Sequence, residues 1–213
     1  MTVIGNDLVS VSDTLNKQSF LRTGIDKFFS KQETDFIKSY PDMNTVACIW
    51  AMKESAYKCH QKLAHNKAFS PAKYCVLANF DGMIIHGKIN YGNTLFYAHC
   101  IDDGDHVKCK ATNKADRLNS IKSICLDFET GNNKNEIIAR EIQKYIDSVD
   151  LTLIKTHNNI PLLVNFREKY MLETSISNEN NLYYISVLPV RTYIPGEIIM
   201  TEFYTHVHSV LFA

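Results

Sequence analysis

The feature that most constrains the fold is a long segment without a helix breaker. Residues 44–64 contain neither glycine nor proline, and their apolar side chains recur at roughly helical spacing. The segment also carries the only tryptophan of the chain, Trp50. We therefore predict a helix from Asn44 to Ala64, and we expect it to be the central helix of the fold because it carries this tryptophan.

Short apolar runs on both sides of this segment predict strands. Several of them are separated by good turn sequences, of which the clearest are Asp81-Gly82 and residues 102–105. The predicted strands are 3–11, 74–80, 83–89, 94–101, 106–110, 151–154, 170–177, 182–190 and 198–212.

Two further helices are predicted from local patterns. Ser30 and Glu33 have the spacing of a capping box, which predicts a helix that runs to about Ser39. An amphipathic pattern predicts another helix over residues 135–149. Strands and helices do not alternate regularly, which favours an α+β fold with an antiparallel sheet packed on a long central helix. We predict a single domain over residues 1–213.

Charge and hydropathy argue against several classes of partner. Lysine and arginine together number 23, as do aspartate and glutamate, so the formal net charge is zero and we expect no nucleic-acid partner. No apolar run approaches the length that spans a bilayer, so we expect no membrane partner. The first residues do not form a signal-peptide pattern, and we expect a cytoplasmic protein.

The cysteines form no C-x-x-C pair. In a reducing compartment such cysteines are usually free thiols, and this is the prediction for all six. They are Cys48, Cys59, Cys75, Cys100, Cys109 and Cys125.

Three ionisable residues are candidates for one site. Asp7 interrupts an apolar strand, and Glu54 and Lys58 lie one helical turn apart next to Trp50. Magnesium prefers one or two carboxylates, with water and substrate phosphate as its other ligands, and a lysine can bind phosphate as a point charge. The alternatives are a turn aspartate and an exposed ion pair on the helix surface. The spacing alone leaves both open.

Two segments resemble the signatures of the 4′-phosphopantetheinyl transferase family. Residues 5–9, Gly-Asn-Asp-Leu-Val, are similar to the first signature, Gly-Ile-Asp-x-Val. Residues 50–58 fulfil all five defined positions of the second, Trp-x-x-Lys-Glu-Ala/Ser-x-x-Lys. Residues 175–179, Ser-Ile-Ser-Asn-Glu, resemble the Ser-Ile-Ser-His-Glu strand of the family. The order of the motifs is that of the holo-acyl-carrier-protein synthase type, and the segment 67–155 does not align with it.

The resemblance implies an enzyme that transfers 4′-phosphopantetheine from coenzyme A to a serine of an apo acyl or peptidyl carrier protein and releases 3′,5′-ADP. Asp7 and Glu54 would bind magnesium, and Glu54 and Lys58 would be catalytic. Coenzyme A would be contacted by Lys53, Lys58, Ser177 and Asn178.

Carrier proteins of this kind are acidic, so a local basic cluster is expected to contact them. Lys17 and Arg22 are the candidates for this contact, and a solvated basic face is the alternative. The short type of the family builds its site across a trimer interface, so a homo-oligomer is one expectation. A chain of this length that completes its site alone is the other.

Two positions depart from the family pattern. Asn6 replaces the usual aliphatic residue, and Asn178 replaces the histidine, so that this chain lacks an imidazole there. The second departure keeps an alternative function open, namely a catalytically silent family member that binds a carrier protein or a nucleotide.

Overall fold

The structure is a computed structural model of the chain with the helices and strands of an α+β protein. It describes residues 1–16, 27–40, 43–64, 68–81, 83–128, 133–146, 148–156 and 158–193. The predicted strand over 198–212 lies outside these residues. Within them no helix is long and apolar enough to cross a membrane.

The helices of the described residues are few. In chain order they are α1 (Val11–Asn16), α2 (Lys31–Ser39), α3 (Met43–Ala64) and α4 (Lys134–Ile146), with two short 3-10 helices at Pro71–Lys73 and Ala115–Ser120. The capping box at the start of α2 is confirmed. Ser30 accepts a hydrogen bond from the amide of Glu33, and the Glu33 carboxylate accepts one from the amide of Ser30.

The strands form two antiparallel sheets rather than the one predicted. In chain order the strands are β1 (Ile4–Ser10), β2 (Cys75–Asp81), β3 (Ile84–Tyr91), β4 (Thr94–Asp102), β5 (His106–Thr112), β6 (Lys122–Asp127), β7 (Leu151–Lys155), β8 (Pro161–Asn165), β9 (Tyr170–Glu179) and β10 (Leu182–Tyr193). The first sheet has the order β1-β5-β4-β3-β2, and the second has the order β6-β10-β9-β8-β7. The α+β class and the antiparallel pairing are therefore confirmed.

Helix α3 packs on one face of the first sheet. Buried and exposed side chains alternate along β3, as expected of a strand with one face covered. The packing is close at Gly87, where an added β-carbon would overlap Met52 of the helix. Helix α4 covers the second sheet with Ile138 and Ile142, which are both almost fully buried.

The two sheets meet where β1 of the first sheet packs against the second sheet, which is formed by the second half of the chain. Ile4 of β1 packs with Ile121 and Leu188, and these three side chains form a small core between the sheets. Lys62 of α3 also reaches the second sheet, where it donates to Glu173 at 3.0 Å and to the carbonyl oxygen of Thr174 at 2.6 Å. Both apolar and ionic contacts therefore hold β1 and α3 against the second sheet.

The prediction that all six cysteines are free is wrong for two of them. Cys100 and Cys109 lie directly opposite each other on β4 and β5, and they form a disulfide. Their register in the hairpin brings the two side chains to the same face of the sheet. The other four cysteines form no disulfide among the described residues, and two of them, Cys48 and Cys59, are buried in α3.

Candidate active site

The backbones of β1 and α3 come very close together at Gly5. A β-carbon added to Gly5 would overlap the carbonyl oxygen of Ser55 and would lie 3.0 Å from the amide nitrogen of Cys59. Glycine is required here because any side chain would separate the strand from the helix. Since side chains alternate along a strand, Asp7 lies on the same helix-facing side as Gly5.

Asp7 forms an ion pair with Lys58 of α3. Lys58 Nζ lies 3.1 Å from Asp7 Oδ1, and it also donates a hydrogen bond of 2.8 Å to the carbonyl oxygen of Asn6. The side chain of Asp7 is 12% exposed and that of Lys58 is 25% exposed. An ammonium group has three donors, so within the described residues these two bonds leave one N–H that can donate to a ligand.

Glu54 lies one helical turn before Lys58 and lines the same cavity as Asp7. Burial raises the pKa of Glu54 to about 7, with a further rise from the charge of Asp7 and an opposing effect from Lys58. Burial also raises the pKa of Asp7, and Lys58 opposes this rise by its charge and its hydrogen bond. A cation bound between the two carboxylates would lower both pKa values, because it favours their charged forms.

The cavity has a volume of about 260 Å³ and walls of different chemistry. Phe29, Val46 and Trp50 form an apolar wall beside the two carboxylates. Asn178 and Glu179, at the end of β9, line the cavity from the second sheet. The other lining residues are Leu8, Val9, Ser10 and Asp13.

The carboxylates fit a magnesium ion by the chemistry of their oxygen donors. Among the described residues no group of three or more histidine, cysteine, aspartate or glutamate side chains is arranged to hold a metal ion. Magnesium does not need such a group, because it commonly takes one or two protein carboxylates and completes its octahedron with water and substrate phosphate. Asp7 and Glu54 line the same cavity and would supply the two carboxylates, and the cavity would leave space for the other ligands.

Lys53 does not reach this cavity. Its side chain is fully buried, and Nζ lies 2.8 Å from Glu33 Oε2. It also donates to the carbonyl oxygens of Pro71 at 3.0 Å and Tyr74 at 2.5 Å. Of these three partners only the Glu33 carboxylate carries a charge, and Glu33 and Tyr74 are buried, so the ammonium group is occupied away from the site. Its link to the cavity is indirect, since Nζ lies 5.6 Å from the ring centroid of Phe29.

The other candidate residues differ in their position relative to the cavity. Asn178 lines the cavity, whereas Ser177 is buried beside it on β9, and its Oγ has no hydrogen-bond partner among the described residues. Lys17 and Arg22, the candidates for the carrier contact, lie outside the described residues.

Sequence reasoning missed several residues of the cavity. Glu179 is the last residue of the Ser-Ile-Ser-Asn-Glu motif but was not predicted to belong to the site, although its carboxylate next to Asn178 could have indicated this. Asp13 carries no spacing signal, because α1 reaches the cavity only through the fold. The role of Glu33 as the partner of Lys53 was also missed, since the two residues belong to different helices.

Residues 3–94 match the 4′-phosphopantetheinyl transferase superfamily. The resemblance seen in the two signatures is thereby confirmed. The match to the transferase superfamily includes Asp7, Glu54 and Lys58 and ends at the first residue of β4, and it does not distinguish the holo-acyl-carrier-protein synthase type. Neither the comparison with curated proteins nor the comparison with solved structures gives a match.

Proposed function

We propose that this protein is a magnesium-dependent transferase, which moves 4′-phosphopantetheine from coenzyme A to a serine of an apo acyl or peptidyl carrier protein. The observation that carries the proposal is the cavity itself. Two carboxylates, Asp7 and Glu54, line it together, and Lys58 is bonded to one of them. All three residues lie within the segment that matches the transferase superfamily, for which phosphopantetheine transfer is the general activity.

In the proposed reaction, Asp7 and Glu54 would hold the metal ion. Magnesium at this position would neutralise charge on the diphosphate of coenzyme A. Lys58 is held by Asp7 and by the Asn6 carbonyl, so its remaining N–H can donate to a phosphate oxygen without a search through rotamers. The contribution of these residues is then mostly positioning and stabilisation of charge.

The bond changes follow from the chemistry of the two substrates. The oxygen of the carrier serine forms a bond to the phosphorus next to pantetheine, and the bond from this phosphorus to the leaving oxygen of 3′,5′-ADP breaks. The proton of the serine passes to Glu54. Lys58 donates to the phosphate oxygens while their charge changes in the transition state.

The second sheet supports a site completed within one chain. Asn178 and Glu179 lie in the second half of the sequence, yet they line the same cavity as Asp7 and Glu54. We place Ser177 and Asn178 on the coenzyme A side of the cavity. In this proposal residues 1–213 form one functional domain of the transferase type, with the long helix α3 carrying Glu54 and Lys58, and no neighbouring subunit is needed to build the site.

The decisive experiment is a transfer assay read by mass. The protein, coenzyme A, magnesium and an apo acyl carrier protein are mixed, and the carrier is expected to gain the mass of one phosphopantetheine group. Asp7→Ala and Glu54→Ala should abolish the gain while the proteins stay folded. Asp116→Ala is the matched control, because Asp116 is 75% exposed outside the cavity and its loss should leave transfer unchanged. Normal transfer by the Asp7 variant at limiting magnesium would contradict the metal assignment.

The alternative is a catalytically silent member of the superfamily. The observation that favours it is Asn178, which lines the cavity where the family motif has a histidine. Binding of coenzyme A or of a carrier protein, measured by calorimetry, without any gain of mass by the carrier would support this alternative. Transfer that depends on Asp7 and Glu54 would exclude it.

A further inference from the structure

We propose that Asn6 is a positioning residue, which fixes the wall of the cavity that carries Asn178 and Glu179 against the strand that carries Asp7. The inference rests on the proposed function, because the wall matters only if the cavity binds coenzyme A. It concerns a position at which this chain departs from the family signature, where an aliphatic residue is usual.

Asn6 makes three hydrogen bonds to the second sheet. Its side-chain Nδ2 donates to the carbonyl oxygen of Tyr184 at 2.7 Å and to Ser186 Oγ at 3.2 Å. Its backbone amide donates to Ser175 Oγ at 2.9 Å. Ser186 Oγ in turn lies 2.8 Å from Ser123 Oγ, so the contact extends across β9, β10 and β6. These bonds join segments that are distant in the sequence.

The backbone of Asn6 also contacts Lys58, on the opposite side of β1 from the second sheet. The carbonyl oxygen of Asn6 accepts the hydrogen bond from Lys58, while Asp7, the next residue, forms the ion pair with the same lysine. Side chains alternate along β1, so Asn6 points to the second sheet and Asp7 points to α3. One residue therefore connects the lysine and carboxylate of the first sheet with the second sheet.

The attachment point is close to the wall. Ser175 and Ser186 are directly opposite each other on β9 and β10, so Asn6 contacts both strands at one level. Asn178 is three residues further along β9, which is about 10 Å at the rise of a strand. A rotation of the second sheet about β1 would move Asn178 and Glu179 relative to the carboxylates. The bonds of Asn6 oppose such a rotation because they are directional, which an aliphatic contact would not be.

Burial of an amide side chain adds little to the free energy of unfolding. Asn6 is fully buried, and its Oδ1 has no hydrogen-bond partner among the described residues. An aliphatic side chain would fill a similar space without the cost of desolvating an amide. The bonds of Nδ2 therefore fix orientation more than they add stability, which is the behaviour expected of a positioning residue.

The test uses Asn6→Leu in the full-length protein. This variant keeps the backbone bonds to Ser175 and Lys58 and removes both bonds of Nδ2. The matched control is Asn79→Leu, because Asn79 is an exposed asparagine on β2 of the same sheet. We expect the Asn6 variant to fold, to bind magnesium as the parent does, and to show a KM for coenzyme A raised about tenfold, the size expected from one or two lost hydrogen bonds.

Two further measurements separate positioning from a purely structural role. Hydrogen exchange of residues 173–179 should become faster in the Asn6 variant, while residues 43–64 and the Asn79 variant stay unchanged. Ser186→Ala should raise KM in the same way, and the double variant Asn6→Leu, Ser186→Ala should add little to either single change because both remove one shared bond.

Each outcome has one interpretation. An active parent and an Asn6 variant with unchanged KM overturn the positioning role, even if the variant is less stable. Unchanged hydrogen exchange of residues 173–179 overturns it as well. A parent that neither transfers phosphopantetheine nor binds coenzyme A contradicts the proposed function itself, and the inference fails with it. Faster exchange together with a raised KM and unchanged magnesium affinity supports it.

Discussion

Replacing Glu54 by glutamine should stabilise the protein at neutral and basic pH. The pKa of Glu54 is raised to about 7 from an ordinary value of 4.5, mainly by burial. The unfolded chain therefore releases this proton at a lower pH than the folded chain does. As a result, the free energy of unfolding falls as the pH rises from about 4.5 to about 7.

The magnitude follows from the two pKa values. Their difference corresponds to about 3.4 kcal/mol, of which about 2.5 kcal/mol is lost between pH 5 and pH 8. Glu54 is only partly buried, so solvent screening makes these values upper bounds. Glutamine has the shape of the protonated side chain and does not titrate, so Glu54→Gln should not lose this stability.

The assay is urea unfolding of the parent and of Glu54→Gln at pH 5 and pH 8. The difference in free energy of unfolding should shift in favour of the variant by up to about 2.5 kcal/mol between the two pH values. Glu136→Gln, an exposed exchange on α4, controls for the general effect of replacing a carboxylate by an amide. At pH 8 magnesium at about 100 times its dissociation constant should add about 2.7 kcal/mol to the parent and much less to the variant.

A difference between parent and variant that is the same at pH 5 and pH 8 would refute this reasoning. It would show that Glu54 ionises as an ordinary exposed glutamate and that burial in the cavity does not raise its pKa. Equal stabilisation of both proteins by magnesium would remove Glu54 from the metal site while leaving the pH argument intact.

Three other predictions concern lysines and an arginine. The Lys58→Met variant should fold normally and transfer phosphopantetheine about 10²–10³ times more slowly than the parent. The Lys58→Arg variant should fall in between, because the guanidinium keeps the charge but not the compact geometry. Transfer rates within threefold of the parent for the Met variant would leave Lys58 only as a member of an ion pair. Lys53→Met should lower the free energy of unfolding by about 3–5 kcal/mol, because it leaves a buried carboxylate unpaired, and chemical denaturation that gives less than about 1 kcal/mol would contradict this. Reversing Lys17 and Arg22 to glutamate should weaken use of the carrier and spare coenzyme A binding; unchanged affinity for both substrates would place the carrier surface elsewhere.

Local signals predicted much of the fold. The capping box at Ser30, the uninterrupted segment before Ala64 and the turns of the first sheet each depend on a few neighbouring residues, and the structure has the corresponding helices and hairpins. Strands β6 and β8 were missed because Lys122–Asp127 and Pro161–Asn165 are short and their pattern is weak. The division into two sheets was also missed, since it depends on pairings between distant strands.

The candidate site was likewise predicted only in part. The signatures grouped Asp7, Glu54 and Lys58, and the structure joins Asp7 to Lys58 and places Glu54 on the same cavity. The signatures could not separate Lys53 from them, because adjacent residues on a helix differ in direction by about 100° and only the packing shows which one faces inward. Cys100 and Cys109 were equally hidden, since the register of a hairpin decides whether two thiols meet.

The Glu33 and Lys53 pair has a consequence for how this part of the protein opens. The carboxylate of Glu33 accepts hydrogen bonds from the amide of Ser30 at 2.7 Å and from the amide of Val76 at 2.6 Å, as well as from Lys53. The start of α2, the start of β2 and the middle of α3 thus share one buried charge. If α2 detaches, the Glu33 charge loses its partners on β2 and α3, and detachment of β2 or α3 removes one of these partners. Local opening therefore carries a cost that fraying of a helix end usually avoids. The three segments are therefore expected to open as one cooperative unit, with the amides of Ser30 and Val76 exchanging their hydrogens together.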